Sequence, residues 1–271
     1  SLLLAAGPAL APQLHAHGAY HEQLEQLTAQ LDQHPDNAAL WKRRAQLHLV
    51  HEEWQAALID LERADRLDPT DANTDGIRGA ALLLARQWSA ADAALTAHLD
   101  LHPGDPAARF DRGRSRAGME NHREAMADFR QALAIAPLPP EQVIEIASTA
   151  AASEGPDAAL IILESELRRH PRDPALTQQA MELALAAGRI DAALTHLGTL
   201  QQQAPRPEPW MARRAEIFTQ AHRPAEARTA WSTLHDHLMA LPNLERGTPL
   251  LQDLLHRCLA ALGLQPAAPV L

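Results

Sequence analysis

Alanine occupies positions 57, 91, 125, 159, 193 and 227, at intervals of 34 residues, and four residues after each stands a large apolar one: Leu61, Leu95, Phe129, Leu163, Leu197 and Trp231. A step of four places both members of a pair on one helix face, so the pattern predicts six helices with small and large side chains alternating along a seam. The alanine lets a neighbouring helix approach closely, and the larger side chain one turn on fills the space that this leaves. Proline recurs with the same period, at Pro35, Pro69, Pro103, Pro137, Pro171 and Pro205. Proline cannot continue a helix, so each 34-residue unit closes on one.

The periodicity predicts first helices over about 38–51, 72–86, 106–118, 140–153, 174–187 and 208–221. Second helices are predicted over about 54–67, 88–101, 122–135, 156–169, 190–203 and 224–240. A lone helix over about 19–33 precedes the array and another over about 247–262 ends it, each capping an exposed apolar face. Asp105-Pro106 and Asp173-Pro174 place a capping carboxylate before a proline at the first helical position, where first helices are expected to begin. Gly118, Gly155 and Gly188 fall near the turns between the helices of their units, where left-handed backbone is expected.

A 34-residue unit with a small residue and then a large one in its second helix, closed by proline, resembles the tetratricopeptide repeat. Trp41 stands at the aromatic position of the first unit and Trp210 one residue before it in the sixth. Arg44-Ala45, Arg78-Gly79, Arg112-Gly113 and Arg214-Ala215 occupy the close-packing site of the first helices, while Ile146-Ala147 and Ala180-Met181 depart from that pattern. The resemblance implies an all-α fold, a right-handed superhelical solenoid of six helix-turn-helix repeats over residues 36–240. A capping helix over 19–35 and a C-terminal capping helix and tail over 241–271 flank it.

The resemblance also implies that the first helices line a concave, peptide-binding groove. Carried over position by position, its lining is Lys42, Gln46 and Leu49; Asn73, Ala80 and Leu83; Phe110 and Arg114; Glu141, Ile144 and Ser148; Gln178 and Glu182; and Glu216 and Gln220. Some members of the family grip a terminal carboxylate with basic and amide side chains of successive units. Only Lys42 matches here, since Gln46, Ile77, Ala107 and Asp111 stand at the other places, and that mode of binding is not expected. The named charges are basic in the first three units and acidic in the last three, which implies a partner acidic at one end and basic at the other.

Composition narrows the class further. Hydrophobic residues make up 46% of 271 but aromatics only 3%, and abundant alanine and leucine favour helix over strand. A formal net charge of -10 opposes binding to a phosphate backbone, so nucleic acid is not an expected partner. A single cysteine, Cys258, excludes an intramolecular disulfide and a cysteine-based zinc cluster. The apolar run from Leu2 to Ala11 is too short to span a bilayer and resembles the end of a secretory signal within an N-terminal leader, residues 1–18. A periplasmic or secreted location is therefore expected, with the cytoplasm as the alternative.

No phosphate loop, nucleophile elbow or HExxH pair is present, so neither an enzyme nor a cofactor is expected. Among the 15 histidines, His15, His17 and His21 cluster near the start and support one alternative function, an exported metal-binding accessory protein. His48 with His51, and His98 with His102, share helix faces and are expected at the surface without metal. His34, His102 and His170 each precede a closing proline and are expected to cap helix C-termini. The leading expectation is a non-catalytic scaffold that binds a protein or peptide in its groove.

Overall fold

The computed structural model describes residues 10–69 and 74–264, and every regular element in them is a helix. The first helices of the six units are α2 (Ala38–Val50), α4 (Thr74–Leu84), α6 (Pro106–Gly118), α8 (Pro140–Glu154), α10 (Pro174–Ala186) and α12 (Glu208–Gln220). Their second helices are α3 (Trp54–Leu67), α5 (Trp88–Leu101), α7 (His122–Ile135), α9 (Pro156–Leu167), α11 (Ile190–Gln203) and α13 (Pro224–Ala240). Before them runs α1 (Leu10–Gln33), which starts well ahead of the predicted residue 19. After them come a short α14 (Asn243–Arg246), not foreseen, and α15 (Pro249–Leu262). The expected apolar leader begins in residues 1–9, outside the described residues. No helix among the described residues is long and apolar enough to cross a membrane.

The chain divides into two compact units, Ser1–Leu138 with α1–α7 and Pro139–Leu271 with α8–α15. In both, each first helix packs against its own second helix. The seam alanines 57, 91, 125, 159 and 193 are fully buried and Ala227 nearly so, with the large residue one turn on buried beside each. Close approach is forced where the first helix carries glycine. A Cβ at Gly79 would stand 2.5 Å from Leu95 Cγ, and one at Gly113 would stand 2.5 Å from Phe129 Cε1. The large side chains of the second helices therefore rest directly on the first-helix backbone.

Helix ends follow from local chemistry. Asn37, Asp105 and Asp173 accept hydrogen bonds from backbone N–H groups of α2, α6 and α10. Before the closing prolines, Asp68, His102, Ala136 and Ala204 all leave helical geometry, as steric conflict with the following ring requires. His102 caps α5 through its backbone N–H, whereas its ring packs on His98 at 4.8 Å. The His170 ring faces Glu166 instead of the helix carbonyls, at 3.5 Å.

The turns between paired helices hold one left-handed residue each: Glu52, Arg86, Glu120, Gly155, Gly188 and His222. Gly118 is not among them. It ends α6, and a Cβ there would meet the Trp88 ring at 2.6 Å, so glycine is needed for packing and Glu120 takes the strained angle, φ 63°.

Buried ion pairs tie the helices of two units together. Arg44 grips Asp60 with two bonds of 2.7 Å and reaches back to Thr28 Oγ1 at 3.2 Å. Arg112 repeats the arrangement with Asp128 at 2.9 and 2.7 Å and with Thr96 at 3.2 Å. Both aspartates are 2% exposed, and Asp128 also accepts from Arg116, at 2.8 Å. Such charges hold together because each is paired bidentately, and removing one partner strands the others in a poorly solvated place. Asp128→Ala is expected to cost about 3–5 kcal/mol in urea unfolding. Asp191→Ala, which breaks an equally short but exposed pair with Arg223, is expected to cost less than about 1 kcal/mol.

Candidate functional site

The N-terminal end of the first unit is fastened by Tyr20 of α1, which is 4% exposed. Its hydroxyl donates to Glu53, a carboxylate that also lies 2.7 Å from His48 Nδ1. On the far side His48 Nε2 stands 3.7 Å from Asp60. Contrary to expectation, His48 is therefore buried, because α1 covers it and Glu53 and Tyr20 satisfy its ring. His98 is withdrawn in the same way: its side chain is 13% exposed, it bonds Asp105 at 2.9 Å, and it packs against Gly76. His15 and His17 lie outside the described side chains, and His21 is exposed. Among the described residues no group of three or more His, Cys, Asp or Glu side chains is placed to hold a metal.

Burial, with help from the Glu53 hydrogen bond, pushes the Tyr20 phenol up to about 12. The Tyr20 and His48 hydrogen bonds hold the Glu53 carboxyl below its ordinary 4.5. Folding thus favours the neutral phenol and the charged carboxylate.

In the first unit, Gln46 and Leu49 of the expected lining border a cavity of about 350 Å³. Ile77 and Ala80 of α4, and Ala107 and Asp111 of α6, complete it together with His98 and Asp105. Three successive first helices thus contribute to one hollow. Lys42 is half-buried and is not among its walls. Arg114, also half-buried, lies 6.0 Å from the Phe110 ring centroid. Leu83 and Phe110 are 5% and 3% exposed and belong to the packing, Phe110 against Phe129 at 5.4 Å. Asn73 lies outside the described residues.

In the second unit Glu141, Ser148, Gln178 and Glu182 are exposed and Ile144 is half-buried. Glu216 and Gln220 border a cavity of about 880 Å³ between α12, α13 and α15, backed by Trp231. The acidic character expected here is offset by two arginines that sequence reading did not place on this side. Arg213 lies 3.3 Å from Glu182 and 3.7 Å from Glu216, and Arg257 of the capping helix also pairs with Glu216. Glu208, 5% exposed, faces His237 at 3.3 Å. Cys258 is fully buried, and burial raises its thiol to about 11, so it is held as an inert packing residue.

Antiparallel helix pairs, repeating every 34 residues around a small-large seam and closed by proline, define a helical-repeat protein. The particular architecture is the tetratricopeptide-repeat fold. A tetratricopeptide repeat protein from Parabacteroides merdae has a similar structure, with TM-score 0.55 and 16% identity over 93% of this chain and 96% of that one. Pseudomonas aeruginosa PilF aligns with TM-score 0.53 and 14% identity over 81% of this chain and 97% of that one. A chain of the APC/C hetero-tetramer Cut9–Hcn1 aligns with TM-score 0.53 and 16% identity, covering 88% of this chain and 46% of that one. No protein-family model and no curated protein sequence matches this chain.

Tyr20 is the chain's only tyrosine, so its phenolate absorbance reports on the attachment of α1 alone. Its raised value means that the contribution is intact below pH 10 and is lost as pH rises toward 12. The Glu53 contribution is intact above pH 4.5 and is lost as pH falls below it. A spectrophotometric titration should place the native midpoint near 12, and Glu53→Gln should move it toward 10. A native midpoint at 10 would show that Tyr20 is not anchored.

Proposed function

We propose that this chain is a non-catalytic scaffold that binds another polypeptide along the side of its first helices, as the concave groove of a helical repeat. The observation that carries the reading is the hollow in the first unit, to which the three successive first helices α2, α4 and α6 each contribute residues. A ligand seated there touches three successive helices at once, which an extended peptide laid across them can do. The larger cavity beside Glu216 and Trp231 offers a second place for the same kind of ligand. The Cut9–Hcn1 chain, similar in fold, is part of a hetero-tetramer, which agrees with a role in assembly. The buried titratable groups Asp60 and Asp128 hold helices together and are not turned toward either hollow, which favours a scaffold over a catalyst.

Photocrosslinking in native extract tests the reading. A photoreactive residue at Gln46 or Gln178, both exposed on first helices, should capture a discrete polypeptide. The same residue at Ile59, 62% exposed on α3, should capture none. Equal capture at all three positions, or capture at Ile59 alone, would move the interaction away from the first helices.

A further inference from the structure

Arg44 and Arg112 follow one rule: each bonds an aspartate 16 residues on, Asp60 or Asp128, and a threonine 16 residues back, Thr28 or Thr96. Arg214 of α12 stands at the same place in the sixth unit, but its forward position is Ala230 and its backward position is Gly198, so both partners are missing. Arg78 also lacks the aspartate and pairs instead with Asp65 and Asp75. Arg214 finds no such substitute. Its one hydrogen bond among the described residues runs from Nη2 to Gln201 Oε1 at 3.3 Å, and no described carboxylate forms an ion pair with it.

The space that the missing side chains leave is open. A cavity of about 320 Å³ lies between α11, α12 and α13 and is bordered by both Arg214 and Ala230. The half-buried guanidinium passes over Gly198, where an added Cβ would stand 3.6 Å from Nη2. Met211, Phe218 and Ala230 give the cavity apolar, half-buried walls. Thr229 and Thr233 also border it, yet both donate their hydroxyls to carbonyl groups of α13 itself. The one carboxylate among its lining residues, Glu226, has both oxygens bonded to Arg223. Arg214 is therefore the charge in this cavity that nothing offsets, and Gln201, whose Oε1 it occupies, keeps an amide donor beside it. A guanidinium held partly out of water without a carboxylate is unfavourable, and an anion from outside can supply what Asp60 and Asp128 supply from within.

The geometry points to a binding pocket for a carboxylate joined to a short apolar body. The carboxylate takes the place of the missing aspartate in a bidentate pair with Arg214, and the body rests on Met211, Phe218 and Ala230. Second helices form two sides of this pocket, and the inference does not depend on the groove proposed above. A free acid and a glutamate side chain of a polypeptide share this chemistry.

Thermal melts and calorimetry of the full-length chain at constant ionic strength test this. Sodium hexanoate, the free-acid probe, should bind with a Kd on the order of 1 mM and raise the melting temperature, whereas hexanamide should do neither. Glutamate capped as its N-acetyl α-amide is the side-chain probe: tighter binding of it than of hexanoate assigns the pocket to a polypeptide ligand, and the reverse assigns it to a free acid. Arg214→Gln should weaken hexanoate by about tenfold or more, the loss of one charge-assisted pair. Ala230→Asp supplies the carboxylate from within the chain. It should raise the melting temperature without ligand and abolish the response to hexanoate, and the gain should vanish when it is combined with Arg214→Gln. Equal responses to hexanoate and hexanamide, no response to either carboxylate, or a response that survives Arg214→Gln overturns the pocket. An Ala230→Asp chain that melts below its parent overturns it as well.

Discussion

Everything in this molecule depends on how closely two helices of a unit can approach. An alanine in the second helix and, in every unit but the fifth, a glycine or alanine in the first remove the bulk between them. A single large side chain, Leu95 on Gly79 or Phe129 on Gly113, then seals the gap. Because the contact is local in sequence, each pair is assembled from residues fewer than about twenty apart, and it needs only its neighbours for cover. The aspartates gripped by Arg44 and Arg112 add direction to this packing. They join the second helix of a unit to its own first helix and, through Thr28 and Thr96, to the helix before.

The fold was legible because its determinants are periodic. The alanine, the large residue and the proline each recur six times, and all twelve repeat helices begin within two residues of where the pattern places them. Elements outside the period were read less well. Nothing in the spacing marks the early start of α1, and the short α14 sits in a connection that no repeat copies. Gly118 misled for a physical reason, since the same residue serves a left-handed turn and a close contact, and only the Trp88 ring decides between them.

The candidate site was legible at the level of faces and not of individual side chains. Gln46, Leu49, Glu216 and Gln220 do border hollows, whereas Leu83 and Phe110 rotate into the packing. A position carried over from a repeat pattern fixes where on a helix a residue sits, but burial also depends on the neighbour's size. Charge was harder still. Glu182 and Glu216 looked like an acidic surface until Arg213 and Arg257 came to rest beside them, and Arg257 arrives from a helix outside the repeat. One signal was available and missed: Arg44 and Arg112 each have an aspartate at the same distance along the chain, which Arg78 and Arg214 lack.

The left-handed turn residues follow the 34-residue spacing except in the fourth unit. There Gly155 comes one residue late, and Gly188 restores the count. α8 runs two residues further than its counterparts in the earlier units and the turn after it is shorter by as much, so the seam alanine Ala159 keeps its place. A glycine at the late position lets the backbone take an angle of φ 98° that glutamate or arginine would resist. A helix in such a unit can therefore lengthen at the expense of its turn, and nothing is passed on to later units. Helix length and register are separable properties of this architecture, and its turns are where the difference between them is taken up.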